Sequence, residues 1–88
     1  MDLRFIIEQR HLTGLDGRPA PNPSAVDFHT CYGASVEAVI KSFAHERHAE
    51  ILGDVRKFPG YHAVATIRSP RGVFTLNVSP ASQELVRP

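Results

Sequence analysis

Cysteine, tryptophan and an excess of charge are all scarce in this chain of 88 residues. It has one cysteine, Cys31, and no tryptophan, and ten Lys and Arg residues face nine Asp and Glu residues for a net charge of +1. A single cysteine excludes an internal disulfide and with it a disulfide-stapled secreted scaffold, so a reducing, cytoplasmic compartment is expected. The near balance of charge gives no bulk electrostatic reason to bind a polyanion or a membrane surface.

Long apolar segments are missing as well. The longest uninterrupted apolar runs, such as Phe5–Ile7, have three residues, whereas a membrane-spanning helix needs about 20. Residues 1–20 carry acidic side chains and no extended apolar centre, so they do not resemble a secretory signal. With 42% hydrophobic residues, the chain is expected to form a single domain over 1–88, built on one modest core and without contact to a membrane.

The order of the periodic segments predicts an α+β fold. Alternating apolar residues predict five strands, and one segment has helical periodicity, which gives the order β-β-α-β-β-β. The strands are predicted at residues 3–8, 25–32, 54–58, 61–68 and 73–78. One helix must bury its apolar stripe against a sheet, so we predict two layers: an amphipathic helix on a mainly antiparallel sheet of four or five strands.

The helix is predicted over residues 36–52. Ser35 is a favourable N-cap, and Glu37 lies in the first turn, where the helix dipole favours an acid. The apolar stripe consists of Val36, Val39, Ile40, Phe43, Ala44 and Ile51. Gly53 is expected to end the helix in a left-handed conformation. Two further segments are predicted to be irregular: a long Pro- and Gly-rich loop at residues 11–24, and a loose C-terminal tail at 79–88.

Asp27, His29 and Cys31 form the first candidate site. An acid, a base and a thiol are the residue types of cysteine-nucleophile enzymes, and strand alternation places all three on one face. A half-buried strand with a polar solvent-facing side produces the same pattern without any catalysis, and this is the preferred interpretation. A zinc site made of His29, Cys31, His45 and His48 is disfavoured, because the two helical histidines are predicted to point away from the sheet.

Two arginine features complete the candidates. Arg47 falls inside the apolar helical stripe, where it either extends its guanidinium to the rim or contacts an acid or a partner. Residues 54–78 contain four basic residues against the single acid Asp54, with Phe58 and Tyr61 between them. The four are Arg56, Lys57, Arg68 and Arg71. Basic residues interleaved with aromatics are one way to hold nucleic acid, and a charged edge that deters strand pairing is the ordinary alternative.

No stretch of the sequence matches a catalytic, phosphate-binding or metal-binding motif, so we predict no catalytic residues, no metal and no cofactor. The leading hypothesis is a small non-enzymatic module of the adaptor, immunity or inhibitor type that binds another protein by surface complementarity. Asp27, His29, Cys31 and Arg47 are its candidate contact residues, and a homodimer through a sheet edge or the open sheet face is also considered. The alternatives are nucleic-acid binding through the basic C-terminal meander, and a thiol or metal enzyme that uses His29 and Cys31.

Overall fold

A computed structural model describes residues 2–20 and 25–81, which form one helix and five strands. The elements are β1 (Leu3–Thr13), β2 (Val26–Gly33), α1 (Val36–Glu46), β3 (Glu50–Phe58), β4 (His62–Ser69) and β5 (Gly72–Pro80). All strand pairs are antiparallel, and the sheet order is β2-β1-β5-β4-β3. The predicted two-layer α+β fold, with one helix on an antiparallel sheet, is confirmed, and the sheet has five strands.

The core lies between α1 and one face of the sheet. Alternate residues of the three central strands point at the helix and exclude water, and the predicted helical stripe packs onto them. The buried set is Phe5, Ile7, Ala63, Ala65, Ile67, Leu76 and Val78 from the sheet, with Val36, Val39, Ile40, Phe43 and Ala44 from the helix. Small alanines on β4 and larger residues on β1 and β5 let the helix approach the sheet closely.

The start of α1 is as predicted, and its end is not. Ser35 caps the helix, because its Oγ accepts a hydrogen bond from the Ala38 N–H at 3.1 Å. The helix ends six residues earlier than predicted, since His48 adopts a left-handed φ of 55°. The N–H of Ala49 then donates to the Ala44 carbonyl at 2.9 Å, and that of His48 to the His45 carbonyl at 3.1 Å. These two bonds form a Schellman motif, which satisfies the last carbonyls without the predicted Gly53.

The segment after the helix is a strand because it completes the sheet. Ile51 pairs with Ile67 of β4 and packs against the core from the sheet, not from the helix. Gly53, with φ of 68°, lies in a bulge: β3 takes four steps from Leu52 to Arg56, while the opposite strand takes two, from Thr66 to Val64. The predicted third strand, 54–58, was therefore too short at its beginning.

Both segments predicted to be irregular are partly ordered. Residues 11–13 continue β1, and a tight turn follows in which the Gly14 N–H donates to the Arg18 carbonyl at 2.9 Å. Residues 79 and 80 belong to β5, and the N–H of the buried Ala81 donates to the Arg4 carbonyl at 2.9 Å. The remainder of the two predicted segments, residues 21–24 and 82–88, lies outside the described residues.

The helix is much shorter than the sheet. Its 11 residues span about 16 Å at 1.5 Å per residue, whereas the 11 residues of β1 span about 36 Å at 3.3 Å per residue. One half of the helix-side face is therefore left uncovered beyond Glu46, and the opposite face of the sheet carries no second layer of described residues. No helix in the described part of the chain is long and apolar enough to cross a membrane.

Candidate functional site

Asp27, His29 and Cys31 lie on the helix side of the sheet. The register pairs Cys31 with the buried Phe5 and His29 with the buried Ile7. The expectation of a polar, solvent-facing side is therefore wrong for His29 and Cys31, which are partly buried, whereas Asp27 is exposed. Small residues at positions 31 and 33 fit beneath the helix, so helix packing selected this face although the other face of β2 carries more apolar surface.

A cleft of about 510 Å³ with a mixed polar and apolar lining opens on this side, beyond the end of α1. Its residues come from every strand except β3, and from the helix end. Apolar side chains of Ala25, Ile67 and Phe74 contribute, and the polar lining consists of Gln9, His11, Asp27, His29, Arg47, Ser69 and Arg71. The structure thus brings together three of the candidate contact residues, Asp27, His29 and Arg47, and adds Arg71 from the basic meander.

The two cleft histidines have defined partners. Nε2 of His29 lies 3.1 Å from Oε1 of Gln9, and its ring meets the Phe43 ring edge-on with centroids 5.1 Å apart. Nε2 of His11 lies 2.9 Å from the Thr13 carbonyl oxygen, and its ring stacks on Phe74. The sequence does not identify Gln9 or His11 as site residues, because the first strand is predicted to end at residue 8 and His11 falls in the predicted loop at 11–24.

Arg47 closes one end of the cleft, and its position explains why a charged residue lies in the apolar stripe. Its guanidinium carbon stands 3.5 Å from the centre of the Phe43 ring, and one of its nitrogens lies 3.4 Å from the Phe43 carbonyl oxygen. Glu46 approaches it at 3.6 Å. The cleft therefore holds charges of both signs, namely Arg47, Arg71, Asp27 and the negative end of the helix dipole.

Cys31 is a partly buried thiol beneath the helix. Burial raises its pKa above the ordinary value, and Glu46 adds to this effect, while Arg47 opposes it. A raised pKa leaves the thiol protonated at neutral pH, which is the reverse of what a cysteine nucleophile needs. Among residues 2–20 and 25–81, no group of three His, Cys, Asp or Glu side chains is arranged to hold a metal ion.

The four basic residues of the meander do not form one surface. Lys57 faces the helix side and forms an ion pair with Glu37 of α1, which lowers the pKa of that carboxyl group. Arg68 faces the opposite side and contacts Glu50 at 2.6 Å. Arg56 shares that side with Arg68, since it pairs with Val64, while Arg71 lines the cleft.

The open face of the sheet exposes large aromatic side chains at both of its edges. Phe28 and Tyr32 project from β2 with 66% and 63% of their surface exposed, and Phe58 projects from β3 with 49% exposed. The two edges are separated by four strand spacings, about 19 Å at 4.8 Å each, so the aromatics form two separate groups. The sequence gives no motif that marks Phe28 and Tyr32 as site residues, although strand alternation places them on the face opposite Asp27, His29 and Cys31.

The two edge strands differ in how far they are protected against strand pairing. β3 carries four charged residues, a glycine and the bulge, which are the usual devices that blunt an edge. β2 carries one charge, Asp27, and pairs with β1 from Val26 to Gly33 without interruption. Within the described residues, nothing pairs with the outer side of β2.

No family model, no curated protein and no solved structure matches this chain.

Proposed function

We propose that this chain is a small non-enzymatic protein-binding module whose β2 edge accepts an extended strand of a partner. The observation that supports it is the unprotected outer edge of β2, with Phe28 and Tyr32 exposed beside it. An edge strand presents alternate N–H and C=O groups outward, and a partner strand satisfies them with main-chain hydrogen bonds.

Side chains next to the edge supply the specificity of such a contact. Phe28 and Tyr32 lie on the same face, two positions either side of Thr30, so a strand added to β2 places its own side chains directly against both rings. An exposed tyrosine and an exposed phenylalanine offer large contact area at low conformational-entropy cost. The partner we propose is a segment in extended conformation with apolar or aromatic residues at alternate positions.

The test is capture by the immobilised full chain, with matched aromatic substitutions at the two edges. Phe28→Lys and Tyr32→Lys place a charge at the β2 edge, and Phe58→Lys places one on the same face at the β3 edge. Proteins retained by the unchanged chain should be lost with either β2 substitution and kept with Phe58→Lys. Equal retention by all three variants, each shown to be folded by circular dichroism, would contradict the proposal.

Nucleic-acid binding on the open face is the second candidate. It is supported by Arg56 and Arg68, which share that face with the aromatic side chains. It is weakened because Arg68 is engaged by Glu50 and Lys57 lies on the other side of the sheet. Nucleic-acid binding requires several available basic side chains on one face, whereas strand addition at β2 does not depend on them. Strand addition is therefore preferred.

A further inference from the structure

We propose that the strand accepted by β2 is the β2 strand of a second copy of this chain, with Thr30 on the two-fold axis. This inference rests on the proposed strand-accepting edge and names its occupant. The strand is self-complementary: Phe28 and Tyr32 are equally spaced about Thr30 on the open face, so an antiparallel copy places each Phe28 opposite a Tyr32. One two-fold contact therefore forms the aromatic pair twice.

The inner face of the strand fits the same register. An antiparallel pair centred on Thr30 places His29 opposite Cys31 of the copy, and Asp27 opposite Gly33. The only charge on β2, Asp27, is thus set against a glycine and never against a like charge. Residues 27–33 all gain a partner, and the two five-stranded sheets join into one of ten strands with both helices on the same side.

Neighbouring registers lose these pairings. A shift by two residues toward the strand start places Phe28 opposite Thr30 and Tyr32 opposite Val26, so the aromatic pair disappears. A shift by one residue sets open-face side chains of one copy beside the helix side of the other, since successive side chains alternate between faces. The Thr30-centred register alone pairs both aromatic residues and keeps both helices together.

The flanking β1 residues extend this complementarity. Arg4 lies beside Tyr32, and Glu8 lies beside Phe28 in the register of β1 with β2. In the dimer, each row across the strands therefore runs from Arg4 and Tyr32 of one copy to Phe28 and Glu8 of the other copy. The two ends of each row carry opposite charges, so the antiparallel register sets no like charges at the ends of a row.

A charge-swap pair tests the two-fold position directly. The mass of the unchanged chain, 9.7 kDa as a monomer, should double in sedimentation equilibrium as the concentration rises to the millimolar range. Thr30→Lys and Thr30→Glu each set like charges against each other and should each abolish the doubling, whereas an equimolar mixture should restore it as a heterodimer. Asn77→Lys and Asn77→Glu, exposed on the same face of β5, serve as matched controls and should dimerise like the unchanged chain.

A cross-link provides the second readout. In a Cys31→Ser background, Thr30→Cys should form an intermolecular disulfide on mild oxidation, because the two positions face each other across the axis. Val26→Cys, on the same face of the same strand, should not, since its two copies lie about 26 Å apart at 3.3 Å per residue over eight residues.

Failure of this inference is distinguishable from failure of the proposed function. The pairing of two copies would be overturned if the unchanged chain were a monomer at every concentration. It would also be overturned if Thr30→Lys and Thr30→Glu each dimerised alone, without being mixed. If such a monomer still retained another protein that Phe28→Lys loses, the strand-accepting function would stand with a different occupant. If neither association depended on β2, both would be wrong.

Discussion

Phe28 and Tyr32 stand on the same exposed face of β2, each two residues from Thr30. The sheet leaves these rings in solvent because the helix covers the other face, where Cys31 and Gly33 are small enough to lie beneath it. An aromatic pair at an otherwise unprotected edge is unusual for a strand that has to stay unpaired, because such an edge is an aggregation hazard. The edge of β3, by contrast, is protected by four charged residues and a bulge. This difference between the two edges is the basis of the functional proposal.

The end of α1 gives a first prediction about stability. His48 pays the steric cost of a left-handed backbone, about 1 kcal/mol for a residue with a Cβ, so His48→Gly should raise the free energy of unfolding by roughly that amount. Urea denaturation measures it. His45→Gly, within the last helical turn, is the matched control and should lower stability by about 1 kcal/mol. A neutral or destabilising effect of His48→Gly would contradict this prediction, because it would mean that the His48 side chain makes a stabilising interaction that the structure does not show.

The partly buried thiol of Cys31 gives a prediction about alkaline pH. The pKa of Cys31 is raised in the folded state, so its contribution to stability is complete below the unfolded thiol pKa, about 8.5, and is lost as the pH rises through the folded value. The unchanged chain should therefore lose stability relative to Cys31→Ser above about pH 8.5, with a constant difference below it. Thermal unfolding of both proteins across this range is the measurement, and parallel curves throughout would contradict the assignment.

The dispersal of the basic residues gives a prediction about nucleic acid. Because Lys57, Arg68 and Arg71 point to three different surroundings, we expect no mobility shift with single-stranded DNA or RNA at about 50 mM salt, where phosphate contacts are strong. Binding that weakened with salt and was lost in an Arg56→Ala/Arg68→Ala variant would reverse the preference between the two candidate functions. A Lys57→Ala variant is the control, since that residue lies on the helix side.

Sequence patterning identified the fold class and the core face of the helix, because both depend on strong local periodicity. Val36, Val39, Ile40, Phe43 and Ala44 are buried as the helical spacing indicated. The helix end was wrong because residues 49–52 satisfy a helical and a strand pattern equally well, and pairing with β4 decides between them.

The site was harder to predict than the fold. Polarity suggested that Asp27, His29 and Cys31 face solvent, whereas the size of the side chains decides which face the helix can cover. The cleft combines residues from four strands and the helix end, so no local spacing reveals it, although the charge of Arg47 within an apolar stripe is visible in the sequence.

The central claim, that β2 pairs with the β2 strand of a second copy of the chain, is tested most directly by amide hydrogen exchange at low and high protein concentration. We expect the outward-directed amides of β2, which alternate along the strand, to become protected as the concentration rises, while the outer amides of β3 exchange at an unchanged rate. Exchange at β2 that is independent of concentration, or protection that appears at β3 instead, would contradict it.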